Sequence, residues 1–86
     1  METNPRLKAL IMQIVDNQLR GNDPPETRLT LDRLMREGCS KQEAKELIAC
    51  VVTSEIYDVM KQDKPYDNDR FCAALARLPQ LPWDDD

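Results

Sequence analysis

The chain has no histidine among its 86 residues, only two glycines, and four aromatic side chains, Tyr57, Tyr66, Phe71 and Trp83. The absence of histidine removes the side chain most often used for acid/base work near neutral pH and the commonest ligand for zinc, copper or iron. Two isolated glycines cannot form a phosphate-cradling loop. With so few aromatics, the core must be built from Leu, Ile, Val, Met and Ala, which is the composition of packed helices. No apolar run is long enough to span a bilayer and no secretory signal is present, so no membrane partner is expected. Cys39, Cys50 and Cys72 are odd in number and far apart. That spacing fits neither a zinc knuckle nor a disulfide framework, and it points to a reducing cytoplasm. Cys50, among Ile48, Val51 and Val52, reads as a small buried hydrophobe. Cys39 precedes an N-cap serine, where a helix dipole can lower a thiol pKa, but it has no histidine base and reads as a hinge residue.

The net charge is −4, and Asp84, Asp85 and Asp86 supply three of those four charges, which leaves −1 over residues 1–83. Lys and Arg are interleaved with acids, as in Arg28, Asp32 and Arg36 or Arg33 and Glu37. The i,i+4 spacing makes these weak ion pairs on a solvated helix face, and nucleic acid is not an expected partner.

What is present is a set of helix starts. Asn4-Pro5, Asp23-Pro24-Pro25-Glu26 and Ser40-Lys41-Gln42-Glu43 each place a capping oxygen before an apolar-periodic stretch, and the last two add a glutamate at N3 to close a capping box. The first helix is predicted from Pro5 to Arg20, with Leu7, Leu10, Ile11, Ile14, Val15 and Leu19 on its inner face and Gly21 in a left-handed stop. The second starts at the prolines, presents Thr27, Thr30, Leu31, Leu34 and Met35, and ends at Gly38. The third, Lys41 to Gln62, has the widest apolar face, from Ala44 through Ile48, Val51, Val52 and Ile56 to Met60. That width makes it the central element, with Glu43, Glu46, Thr53 and Asp58 left at its edges. Asp63-Lys64-Pro65 breaks it. A short fourth helix starts at Asp67 or Asn68, presents Phe71, Ala74, Leu75 and Leu78, and cannot pass Pro79.

The fold class is therefore all-α: a compact four-helix bundle-like domain over residues 1–79 with a long central third helix, followed by a Pro/Trp/acidic tail over 80–86. Leu81 and Trp83 either fold back as a strap over one end of the bundle or form a peptide whose tryptophan anchors in a partner. A domain of this size buries only about 60–65% of its unfolded surface, and a homodimer is one remedy for the thin stability that follows.

Chemistry is not encoded in any recognisable arrangement. The carboxylate pairs Glu43 with Glu46 and Glu55 with Asp58 read as solvated helix-edge acids. Ser40 is explained as a cap, and Ser54 lies mid-helix without a base. No catalytic residue, metal ligand set or cofactor is expected.

Asn4-Pro5-Arg6-Leu7, Asn17-Gln18-Leu19, Asp23-Pro24-Pro25-Glu26, Arg33-Leu34 and Gly38-Cys39-Ser40 with Glu43-Ala44 together resemble a group of short bacterial proteins, the "domain of unknown function 1841" family and its close relatives. The similarity extends through Glu55-Ile56-Tyr57 and Tyr66-Asp67 to Leu75-Ala76-Arg77-Leu78-Pro79. The resemblance implies a helical fold, and relatives with histidines four apart near the starts of the first and third helices. Those positions are Lys8 with Met12 and Gln42 with Glu46 here, so a metal site built on such histidines would be lost.

The resulting expectation is a small cytoplasmic, non-catalytic interaction module, with Leu81 and Trp83 as partner contacts. The alternative is a ligand- or metal-binding accessory domain that has lost its relatives' histidines, with Lys8, Gln42 and Glu46 as its polar site and Glu43 and Cys39 nearby. Convergence of Lys8, Gln42 and Glu46 on one pocket would discriminate between the two.

Overall fold

The computed structural model describes residues 5–83. They form four helices and no strand, α1 (Pro5–Gly21), α2 (Pro25–Arg36), α3 (Lys41–Gln62) and α4 (Asn68–Arg77). At about 1.5 Å rise per residue, α3 is roughly 33 Å long, and the molecule measures 35 × 32 × 28 Å. One helix therefore spans the whole domain. The others pack on it, and α2 as well as α3 touches all three of its companions, while α1 and α4 do not meet.

The starts and stops follow local chemistry, with two corrections. Ser40 accepts from the Glu43 N–H at 3.0 Å while Glu43 accepts from the Ser40 N–H at 2.8 Å, the reciprocal capping box of α3. Asp67 caps α4 by accepting from the Arg70 N–H. At α2, however, the N-cap is Pro24, which has no capping side chain, so the box expected from Asp23 and Glu26 does not form. The reason lies in the preceding turn. Asp23 uses its N–H to close α1 on the Gln18 carbonyl at 3.1 Å, and Asn22, not Gly21, takes the left-handed conformation (φ 52) one residue later than expected. Asparagine tolerates that conformation, and the paired bonds satisfy carbonyls the helix end would leave open. Gly38 (φ 111) ends α2 in the same way, with its N–H on the Met35 carbonyl and that of Cys39 on Leu34. The Asn4 cap lies outside the described residues.

The core is Ile11, Val15 and Leu19 of α1, Leu31 and Leu34 of α2, Ala44, Ile48, Val51 and Val52 of α3, and Phe71, Leu75 and Leu78. Thr27 is fully buried and donates its hydroxyl to Gln18 Oε1 at 3.0 Å, which joins the end of α1 to the start of α2. Arg28, expected to pair along its own helix, donates instead to the Leu19 carbonyl. The expected Arg33–Glu37 pair forms at 3.1 Å, and Arg33 also donates to the Leu75 carbonyl of α4.

Several residues assigned to the inner faces by periodicity lie outside: Leu7, Leu10, Met35 and Met60 are all exposed, and Cys50 is only half-buried. The cause is geometric. A single helix laid across another covers only a narrow strip of it, so the apolar arcs of α1 and α3 are wider than the contact they share.

Candidate interaction surface

α1 lies across α3, and its two flanks open onto different halves of that helix. On one flank Asp16 meets Lys45 at 2.6 Å. Beside that pair, Lys8, Ile11 and Met12 line a groove of about 360 Å³ with Glu46, Ala49 and Cys50. On the other flank Ile14 and Gln18 line a second groove of about 290 Å³ with Val52, Ile56, Val59 and Met60, floored by Phe71 and closed at one end by Tyr66.

The polar site expected at Lys8, Gln42 and Glu46 comes together only in part. Lys8 and Glu46 share the first groove, whereas Gln42 sits on the α3 surface and donates its side-chain amide to Glu46 Oε2 at 3.3 Å. Cys50, in the same groove, has its thiol pKa pushed up, first by burial and then by the Glu46 charge. A thiol held protonated is a poor nucleophile and a poor metal ligand. Among the described residues no group of three or more Cys, Asp or Glu side chains is arranged to hold a metal ion.

The segment after α4 crosses the outside of α3. Leu81 packs against the core, and with Pro82 it borders Ser54, Asp58 and Ala74. Trp83 reaches the first groove and lies near Leu7 and Thr53, with 56% of its surface still in water. The strap thus links α4 to α1, the two helices that otherwise do not touch. Asp84, Asp85 and Asp86 lie outside the described residues.

Two features escaped the sequence reading. The first is Glu55, expected as an edge acid but 6% exposed, with its carboxylate held by Arg70 through Nε at 3.1 Å and Nη2 at 2.7 Å. That bond is the main reason the Arg70 guanidinium pKa is raised. The signal was available, since Glu55 is four residues from Val51 and three from Val52 and so falls on the buried stripe. The second is the surface beside the 290 Å³ groove. Leu10 and Ile14 stand on α1, and Ile56, Tyr57 and Met60 on α3, with Leu10 54%, Tyr57 59% and Met60 78% exposed. No charged residue lies between Lys8 and Asp16, Asp58 of α3 borders the strap instead of the groove, and the one charged residue lining the groove is the paired Glu55. Lys61, stacked 5.4 Å from the Tyr57 ring centre, stands at the rim. Clustered exposed apolar side chains with charge confined to the edge are the ordinary composition of a binding surface.

Among the described residues no helix is long and apolar enough to cross a membrane, and the three cysteines are unpaired. Compared with protein-family models, with curated proteins and with solved structures, the chain gives no match.

Proposed function

We propose that this chain is a non-catalytic interaction module that works in the cytoplasm and binds protein through the uncharged α1/α3 face. The observation that carries the reading is an apolar groove of about 290 Å³ lined by Ile14, Val52, Ile56, Val59 and Phe71, with the exposed Met60 and Tyr66 on its walls and the exposed Leu10 one turn from Ile14. Scattered apolar residues on a surface need no explanation, but a cluster without charge does. Three unpaired thiols suit a reducing compartment. Nucleic acid is a poor fit, because Arg33, Lys45 and Arg70 are each engaged by an acid of the same chain. The chain is further proposed as a relative of the short bacterial proteins it resembles, its Lys8, Met12, Gln42 and Glu46 standing where they carry histidines.

A photo-crosslinking residue at position 57 tests the reading in living cells. Discrete adducts are expected, and Met60→Glu should remove them. An absence of adducts, or adducts indifferent to Met60→Glu, would sink it.

A second reading, a small-ligand accessory domain, draws on one observation: Lys8 and Glu46 line the same 360 Å³ groove beneath Trp83. Quenching or a shift of Trp83 fluorescence on screening small zwitterionic compounds, abolished by Lys8→Met, would favour it over the interaction module.

A further inference from the structure

The binding-module reading leaves open what covers the α1/α3 face. Its shape, its charge and its area narrow the choice.

The face carries both a projection and a recess. Met60 stands 78% exposed beside a groove that it helps to line, and Leu10 stands 54% exposed one turn from Ile14 on the opposite wall. A groove of about 290 Å³ admits one or two large aliphatic side chains, which is what a neighbouring ridge of the same kind would insert. A surface with knob and hole side by side is complementary to its own copy turned through a two-fold axis, because each knob then meets the other copy's hole.

Charge points the same way. Two copies of a chain with net charge −4 repel at a distance, yet close contact puts like charges together only if the meeting surfaces carry them. Here the groove is lined by Ile14 and Gln18 of α1 and by Val52, Ile56, Val59 and Met60 of α3, none of them charged, and the exposed Leu10, Gln13 and Asn17 continue the neutral surface along α1. The one acid that points toward the groove, Glu55, is neutralised inside the chain by Arg70. A partner of opposite charge would find nothing to hold. A second uncharged face meets no electrostatic penalty, and contact between desolvated charges is avoided.

The area is sufficient as well. From their fractional exposures, Leu10, Tyr57, Met60 and Tyr66 leave on the order of 500 Å² of side chain in water, against about 800 Å² that a standard interface takes from each partner. The polar rim supplies the remainder.

We infer that a second copy of this chain covers the α1/α3 face in an isologous dimer, with Leu10 and Met60 of each copy seated in the apolar groove of the other. This inference rests on the binding-module reading and names its partner.

Sedimentation equilibrium of the full chain over a micromolar to near-millimolar range tests it. The wild type should dimerise, with a melting temperature that rises with protein concentration. Met60→Glu and Leu10→Glu should each raise the dissociation constant at least about 10-fold, since a carboxylate would be driven into an apolar recess. Asp32→Lys, a charge change twice as large on the exposed side of α2, should leave it unaltered. Circular dichroism under dilute, monomeric conditions should show all three variants helical and cooperatively melting, because each substituted side chain is exposed in the single chain. A wild type that stays monomeric to near-millimolar concentration would overturn the inference, and so would a dimer indifferent to both glutamates. If the wild type is monomeric but position 57 still crosslinks in cells to adducts other than twice the chain mass, the partner is another protein. The binding-module reading then stands while the self-association fails.

Discussion

The two exposed sides of this domain are built from the same kind of helix but carry different surfaces. On the α2 side, Glu26, Arg28, Asp32, Arg36 and Glu37 face water, and the exposed Leu29 and Met35 are set among these charges. On the α1/α3 side, a comparable stretch of helix exposes Leu10, Tyr57 and Met60 around a groove whose one charged lining residue, Glu55, is paired with Arg70, while Asp58 lies on the strap side of α3. Stability does not require this difference. The α2 pattern keeps a helix soluble at little cost in fold energy, and α1 could carry the same one. What an uncharged apolar face adds is the ability to be covered. An exposed leucine on one side is an ordinary surface feature, and on the other it belongs to a binding face.

The comparison is broken most severely by a charge placed behind the face instead of on it. Val51 is 1% exposed at the centre of α3. Val51→Asp would force a carboxylate into an interior without partners, at a cost of several kcal/mol that rivals the whole stability of a domain this small. Loss of the helical circular dichroism signal and of a cooperative melt is expected. Met60→Glu, nine residues along the same helix, should leave the dilute monomer within about 0.5 kcal/mol of wild type. Equal damage from the two would mean that Met60 belongs to the core and that the face is not one.

Glu55 and Arg70 sharpen the same distinction, because they keep a charge from the groove. Removing Arg70 leaves a buried carboxylate unpaired, whereas removing Glu55 releases a partly exposed arginine to water. Glu55→Met should therefore fall within about 1 kcal/mol of wild type, since apolar replacement of a buried ionic group is often neutral. Arg70→Met should produce the larger fall in melting temperature, roughly 10 °C. It should also weaken self-association, by turning a negative charge loose beside Ile56 and Met60. Thermal melts of the two single variants and the double variant decide the point, and the asymmetry is lost if the two single variants fall equally.

The fold was largely legible because its punctuation is local. The caps at Ser40 and Asp67, the prolines before α2 and the stop at Gly38 act within a few residues of where they stand, and the helix bounds follow from them. The left-handed turn was displaced from Gly21 to Asn22 because the Asp23 amide, whose partner is chosen by the turn, closed the helix one residue later. The candidate face was less legible. Periodicity records that Leu7, Leu10 and Met60 lie on apolar arcs, but how much of an arc is covered depends on the angle at which another helix crosses it, which spacing does not carry. Glu55 was misplaced for a related reason. Its register put it on the buried stripe, but its charge argued for water until Arg70, fifteen residues away, supplied the partner. Lys8, Gln42 and Glu46 come together only in part because Gln42 and Glu46, four apart on one helix, bond to each other, and only Glu46 also reaches the groove that Lys8 lines.

The smallest expected effect lies where the two sides meet, at the strap. Leu81 is half-buried against the core and Trp83 a little under half covered. Together they shield part of the groove that Leu7 and Thr53 border. Replacing both by serine gives up this partial burial and should lower stability by about 1–2 kcal/mol, less than the loss of two fully buried side chains. Because Trp83 keeps more than half of its surface in water, its emission in the intact chain should lie between that of a buried and a free indole and should be only partly quenchable by iodide. The substitution also tests the boundary of the face. The strap crosses α3 on the Glu46 and Cys50 side of α1, whereas Leu10 and Met60 lie on the other flank, so removing the strap should leave the dimer dissociation constant within about 3-fold of wild type. A large loss of dimer on replacing Leu81 and Trp83 would move the self-association surface across α1 to the groove the strap now covers, and the uncharged α1/α3 ridge pair would need another occupant.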